Sequence, residues 1–322
     1  MRAQKLFELV DLGPSQTCLI TDLSDIRWLT GFSGSHAWLV ARHQELFLLT
    51  DGRYVEQARA EIESHCAVVE VIECRTLAAM QKATETLTQG SATVQFQDSQ
   101  LTYQNFLALQ AELSSTLIPC DSSIKFLRRQ KDDIEIQLIG SACLIADHAL
   151  QQCVHLLSAG VTENDVRDEL EYAMRRLGAD GPSYDTIVAS GPTNSARPHH
   201  HPTGTKIENG HTVIIDVGAL VAGYHSDMTR SFVVGPMSSE QAEWYEAVRA
   251  AQQAGVEACR PGVQVSEIDA ACRRVLSQAG LEQYFTHGTG HGVGLVIHEE
   301  PFINSSGQAI LQPGDVVTVE PG

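Results

Sequence analysis

His287-Gly288-Thr289-Gly290-His291-Gly292-Val293-Gly294-Leu295-Val296-Ile297-His298-Glu299-Glu300-Pro301 places three imidazoles and four glycines in one otherwise apolar run. Glycine lets backbone approach closely, and imidazole either carries a proton near neutral pH or ligates a metal. One histidine in such a run is more often a satisfied core residue. Three of them beside glycines point to a site. Eight of the chain's thirteen histidines (His199, His200, His201, His211, His225, His287, His291 and His298) fall in the same stretch of the chain, which also suggests metal chemistry.

Upstream, Val213-Ile214-Ile215-Asp216-Val217-Gly218-Ala219 reads as a buried strand with one carboxylate, and an unpaired charge there costs several kcal/mol, on the order given for buried ions. Asp216 therefore needs a cation. The chain returns as Tyr224-His225-Ser226-Asp227-Met228-Thr229-Arg230-Ser231-Phe232. A hairpin centred between Val221 and Ala222 pairs Asp216 with Asp227, with Cβ atoms about 5 Å apart. Arg230 would then point to the opposite face, so a metal accounts for the pair better than an aspartate–arginine surface contact does. Downstream, Gly314-Asp315-Val316-Val317-Thr318-Val319-Glu320-Pro321-Gly322 reads as a strand over Val316–Glu320 that delivers one more carboxylate, Glu320, as a further ligand.

Carboxylates plus one imidazole form a hard, oxygen-rich donor set suited to Mn2+, Mg2+ or Zn2+ rather than to thiolate-held or copper centres. Two such ions roughly 3.5–4 Å apart would hold a hydroxide and polarise a carbonyl, which is hydrolysis without a covalent intermediate. Histidines not used as ligands could stabilise the oxyanion or protonate a leaving nitrogen.

The rest of the chain sets the frame. Its 322 residues, 43% of them hydrophobic, are enough for two domains. With 40 acidic against 22 basic residues there is no basic surplus for a phosphate backbone, which argues against nucleic-acid binding. No run is long and apolar enough to span a membrane, and Glu8 interrupts the amino terminus before a signal-like region develops, so the expected location is cytoplasmic. The eight cysteines form no Cys-x-x-Cys pair and read mostly as reduced core residues.

Strand-like runs at Thr17–Ile20, Ala37–Val40, Leu46–Leu49 and Ala67–Ile72 alternate with helical stretches at Tyr54–Glu63 and Leu101–Leu113, an α/β pattern. A long helix over Lys131–Leu157 follows, which sets the domain boundary and gives domains of 1–127 and 128–322. In the second, Thr162 caps a helix running to Leu177, Ser239–Cys259 is helical, and Ser266 caps one more helix. Thr186–Ala189, Thr212–Val217 and Gly223–Val234 read as strands.

Taken together, these segments resemble the creatinase/prolidase-type metallopeptidases of family M24, in the branch of Xaa-Pro aminopeptidases and Xaa-Pro dipeptidases. The resemblance covers essentially the whole chain. It is carried in the amino half by Ile26–Ser35 and Thr50–Ala58, and in the carboxy half by Ile187–Gly191, Pro198-His199-His200, the two aspartate strands, the histidine run and Val319-Glu320-Pro321-Gly322. It implies an α/β (α+β) protein with a small α/β amino-terminal domain before a "pita-bread" catalytic domain. It also implies Asp216, Asp227, His291 and Glu320 as ligands of two divalent ions, Mn2+ first, with Co2+ or Zn2+ as substitutes. His199, His287 and His298 would line the substrate site, with His199 and His298 contacting the substrate carbonyl or the proline nitrogen. His200, His201 and His225 would be local residues.

The implied activity is hydrolysis of the bond between an amino-terminal residue and a following proline by an Xaa-Pro aminopeptidase, with a homodimer as the implied assembly. The alternatives are an Xaa-Pro dipeptidase and, should the chain truly end at Gly322, a non-catalytic pita-bread binding module. Residues 1–125 argue against a methionine aminopeptidase, and the retained ligands argue against metal-free creatinase. In the family a second bridging glutamate follows the Glu-Pro-Gly motif, so a sequence stopping at Gly322 implies a catalytic domain incomplete at its carboxy end, as a fragment of a longer enzyme, the favoured reading, or as a truncated product.

Overall fold

The computed structural model describes residues 2–10, 12–13, 15–65, 67–120 and 122–322; the expectation for Cys66 lies outside them. The chain divides into two compact units, Met1–Arg128 and Arg129–Gly322.

The first unit holds β1 (Gln16–Ile20), β2 (Ala37–Arg42), β3 (Glu45–Thr50), β4 (Glu70–Glu73), β5 (Thr93–Phe96) and β6 (Thr116–Pro119) in one mixed sheet of order β4-β3-β2-β1-β5-β6. Helices α1 (Arg2–Val10), α2 (Leu23–Thr30), α3 (Val55–Ser64), α4 (Leu77–Leu87), α5 (Tyr103–Glu112) and α6 (Ser122–Arg129) complete it. Residues 37–41 of β2 are buried without alternation, which matches a strand covered on both faces. Its hairpin with β3 turns on His43 and Gln44, at φ 48° and 66°, the double left-handed turn whose twist suits adjoining strands. Strand β4 begins at Glu70, so Ala67–Val69, expected as strand, precede it.

A polar cluster crosses this core. Gln97 donates to Asp25 at 2.5 Å and accepts from the backbone amides of Thr21 and Asp22, while Arg128 pairs with Asp25 at 2.6 Å. Burial pushes the Asp25 carboxyl up and Arg128 pulls it back, leaving it at about 6. Replacing Arg128→Met strands that carboxylate. Chemical denaturation at pH 8 is expected to show a loss of about 3 kcal/mol, and an unchanged midpoint would refute the pairing.

The second unit contains α7 (Asp133–Cys153), α8 (Glu163–Arg176), β7 (Gly181–Pro182), β8 (Ile187–Ser190), α9 (Gly191–Asn194), β9 (Thr212–Val217), β10 (Ala219–Val221), β11 (Tyr224–His225), β12 (Met228–Val233), α10 (Ser239–Ala258), α11 (Val265–Gln278), β13 (Gly290–Gly292) and β14 (Glu299–Ile303). Its strands form three small sheets, β11-β10-β7, β12-β9-β8 and β13-β14. The small residues Ala142, Ala146 and Ala149 on α7 share a core with Val166 and Leu170 of α8 and with Val213, Ile215 and Val217 of β9. Gly255 lets α10 approach α11: a Cβ there would lie 2.5 Å from Cys272 Sγ. Side-chain capping boxes start α7 at Asp132, α8 at Thr162 and α10 at Ser238.

Several local expectations are corrected. Helix α11 begins one residue before Ser266, at Val265, and its N-cap Gln264 makes no side-chain capping bond; Ser266 lies inside the helix. The run Gly223–Val234 is two strands broken at Ser226 and Asp227. Among the described residues no helix is long and apolar enough to cross a membrane.

Candidate metal centre

The aspartate hairpin has a different register from the expected one. Its turn is Ala222-Gly223, at φ 47° and 82°, so Val221 pairs with Tyr224 and Asp216 faces Thr229 rather than Asp227. A two-residue turn with both centres left-handed is the favoured hairpin closure and moves the pairing by two positions. Because side chains alternate along a strand, a two-residue shift leaves Asp227 on the same face as Asp216. The ladder breaks at Ser226 and Asp227, beside Gly218, where a Cβ would sit 2.0 Å from the carbonyl oxygen of Ser226.

The two carboxylates are joined by a residue that the sequence did not single out. The Tyr184 hydroxyl lies 2.5 Å from Asp216 Oδ1 and 2.9 Å from Asp227 Oδ1. Burial, followed by the two aspartate charges, pushes the phenol far above its ordinary range, so it stays protonated as a donor. No periodicity or motif marks Tyr184; the β7–β8 connection brings it there.

His291, on β13, is 8% exposed. Its Nε2 is 3.3 Å from Asp227 Oδ2 and 3.2 Å from Glu320 Oε1, and its Nδ1 faces the Gly292 carbonyl at 3.0 Å. A proton held on Nδ1 by that carbonyl directs Nε2 at the carboxylates. Glu320 arrives on a segment expected as a strand. The structure gives instead a single bridge, Gly292 to Val317, with backbone bonds from Val293 to Val316, Thr318 to His291 and Glu320 to Thr289. The Thr318 hydroxyl accepts from the His291 amide at 3.0 Å and donates to Glu320 at 2.9 Å, tying the two candidate ligands together.

Ligand atoms of Asp227, His291 and Glu320 all lie within 4.8 Å of one another. Burial raises the Asp216 carboxyl, Tyr184 opposes that, and the Asp227 and Glu320 charges add to it, leaving Asp216 at about 6. Burial disfavours imidazolium at His291, but bonds to Asp227 and Glu320 outweigh it and bring the ring up to about 10. Both shifts have one meaning: the clustered carboxylates favour positive charge between them. Hard oxygen donors with one imidazole fit a divalent ion.

The other expected residues are placed unevenly. His298 is exposed and packs edge-on to His291, ring centroids 4.4 Å apart. Burial and then the His291 charge lower its pKa, and a further lowering comes from His199, which is itself exposed on the loop after α9. His287 is exposed, stacks edge-on to Phe285 at 4.8 Å and has Nδ1 2.8 Å from the Gly288 carbonyl. Among the described residues no hydrogen bond or ion pair links His287 to Asp216, Asp227 or Glu320. His200 is buried against Glu163 at 2.9 Å, and His225 is lowered by burial. Behind the histidine run, Asp269 accepts from Thr289 at 2.8 Å and pairs with Arg273, whose guanidinium also donates to the His287 carbonyl. Lys131 and Glu299 form a buried pair at 2.6 Å.

Two family models match the chain: the Creatinase/Prolidase N-terminal domain over residues 2–130 and the metallopeptidase family M24 over residues 137–322. The chain is 36% identical over its full length to an uncharacterized peptidase, YqhT, of Bacillus subtilis, spanning 90% of that protein. It is 44% identical over 202 residues to an Xaa-Pro dipeptidase of Pyrococcus furiosus, a match covering 63% of this chain and 58% of that protein. The solved structure of an Xaa-Pro dipeptidase from Bacillus anthracis superposes with a TM-score of 0.93 at 34% identity, covering 99% of this chain and 89% of that one. With both models matched in order and this chain aligned over its full length to a relative at 36% identity, the chain belongs to the M24 metallopeptidases, with a creatinase/prolidase amino-terminal domain before the pita-bread unit.

Proposed function

We propose that this protein is a metal-dependent peptidase that cleaves the bond between an amino-terminal residue and a following proline. Asp216, Asp227, His291 and Glu320 would be the ligands of two divalent ions, Mn2+ first. The observation that carries this reading is the convergence of Asp227, His291 and Glu320 on one point, beside an aspartate pair bridged by Tyr184. When bound, the ions would supply a Lewis acid and an activated water.

The remaining work falls to this chain's own side chains. Proline's nitrogen carries no proton in the peptide bond, so the leaving amine must acquire one. His298, accessible and held neutral by burial and by the neighbouring His291, can accept and return a proton at a ring nitrogen. His199 acts from the opposite loop as a hydrogen-bond donor to the scissile carbonyl, and His287 lines the approach. Tyr184 orients Asp216 and Asp227 and moves no proton of its own.

Names of relatives support the Xaa-Pro bond as the target, and the dipeptidases among them favour Xaa-Pro dipeptides as a second substrate reading beside longer Xaa-Pro-Yaa peptides. Free thiols at the cysteines of the described residues support a cytoplasmic location, and a homodimer completes the proposal. The test is incubation with Mn2+ and both substrate lengths. Release of the amino-terminal residue, abolished by a chelator and restored by Mn2+, is expected. Equal rates with and without metal, or cleavage indifferent to proline, would overturn the reading.

A further inference from the structure

Glu163 is the first residue of α8 and is fully buried, yet it has no cationic lysine or arginine partner among the contacts that hold it. Its Oε1 accepts from the Ser190 amide at 2.8 Å, the Ser190 hydroxyl at 2.9 Å and Asn194 Nδ2 at 2.9 Å. Its Oε2 accepts from His200 Nε2 at 2.9 Å, the Thr203 amide at 3.0 Å and the Thr203 hydroxyl at 2.9 Å. Facing a carboxylate, His200 Nε2 must carry the hydrogen. The backbone amides of Glu163 and Asn164 add bonds to the carbonyls of Thr205 and Thr203.

These partners are not scattered. Ser190 and Asn194 stand where the chain leaves β8 through α9, and His200 and Thr203 stand where it comes back, so one carboxylate ties both ends of the loop that carries His199. His199 itself is exposed, while its neighbour His200 is buried. A second pin lies at the loop's start, where Gly191, at φ +71°, lets the His211 ring approach to 2.9 Å from the place of a Cβ. So dense a set of donors on one anion is more than is needed to start a helix, which Thr162 already caps with its own side chain. A buried acceptor with several charge-assisted bonds holds its partners within a narrow geometry.

We infer that Glu163 is a positioning residue for the proposed peptidase: its carboxylate fixes the 190–203 loop so that His199 is presented to the substrate site through its anchored neighbour His200. This rests on the function proposed above. None of the four candidate metal ligands lies on the loop, so the effect runs through His199 and not through the metal.

Glu163→Gln turns one acceptor oxygen into a donor facing donors. In the Mn2+-loaded enzyme it is expected to lower kcat/KM about 100-fold, the scale of a misplaced catalytic group, mainly through kcat. Mn2+ affinity should stay within about 3-fold, because the ligands are elsewhere. His199→Ala should cost a similar factor, and adding Glu163→Gln to it should cost almost nothing more; a full additional 100-fold loss would show that Glu163 does not act through His199 and would overturn the inference. Hydrogen exchange gives a reading independent of turnover: amides of residues 191–204 should exchange at least about 10-fold faster in Glu163→Gln while those of α10 stay unchanged. Unchanged exchange in the loop overturns the inference even if the wild type is active, whereas a wild type that cleaves no Xaa-Pro bond sinks the proposed function whatever the exchange shows. Should Glu163→Gln lose its cooperative thermal transition, Asn194→Leu, which removes one donor, takes its place in the same cycle with the same outcomes.

Discussion

Asp227→Asn is expected to lower kcat/KM toward an Xaa-Pro peptide by at least about 10³-fold at saturating Mn2+. The substitution keeps size and shape and removes one negative charge. Asp227 belongs both to the Tyr184-bridged pair and to the trio with His291 and Glu320. It therefore belongs to both groups of candidate ligands, and its loss weakens both. A metal ion contributes several kcal/mol of charge stabilisation, and each 1.36 kcal/mol is tenfold in rate, which gives the size of the effect. Steady-state kinetics beside an unchanged circular dichroism spectrum would check it. Activity within tenfold of wild type would place the metal chemistry elsewhere.

Gly290→Ala is expected to destabilise the second unit by about 3 kcal/mol, toward the upper end for an overpacked site. A Cβ there would sit 2.1 Å from the Thr318 carbonyl oxygen, a backbone atom that cannot swing away as a side chain can. To relieve the clash, β13 must part from the 316–320 segment, which breaks the Thr318 bonds that hold His291 beside Glu320. Stability and the candidate metal site should therefore fail together. Gly140→Ala provides the contrast: a Cβ there meets nothing within 4 Å in the middle of α7, and roughly 0.5–1 kcal/mol of stabilisation is expected from the lost backbone freedom. Urea denaturation of both variants checks the pair, and equal midpoints would contradict the steric account.

The contrast between these glycines shows what a sequence can and cannot tell. In the histidine run, glycine spacing signals close backbone approach, and Gly290 and Gly292 do face backbone at 2.1 and 2.4 Å from their Cβ positions. The sequence does not say which backbone: Gly290 faces Thr318 of the 316–320 segment, whereas Gly292 faces Glu300 on β14, and neither neighbour can be read from the glycine spacing. The aspartate hairpin behaves the same way. Its apolar runs and turn are visible, but whether the turn centres before or after Ala222 depends on which residues take positive φ, and glycine takes it more readily than the Val221 that a centre one position earlier would require. Since the error is two positions, the face survives and the candidate pair stays together.

Tyr184 and Glu163 mark the other limit. A tyrosine in a loop and a glutamate in a capping turn are common residues with no distinguishing spacing. What sets them apart is the set of groups that the fold delivers to them: two carboxylates in one case, six donors in the other. His200 shows the converse. It stands next to His199 and looks equally chemical in the sequence, but the structure buries it on Glu163, while His199 stays exposed. Adjacent residues on a loop point in different directions, and only the anchor decides which of them reaches solvent.

The most direct test of the central claim is a calorimetric titration of Mn2+ into the metal-free chain, repeated on Asp227→Asn. The account predicts saturable binding by the wild type with release of protons, because imidazole and carboxylate bind a metal in their deprotonated forms, and a stoichiometry that falls in the variant. A wild-type chain that binds no Mn2+, or a variant that binds it with the same stoichiometry and affinity, would contradict it.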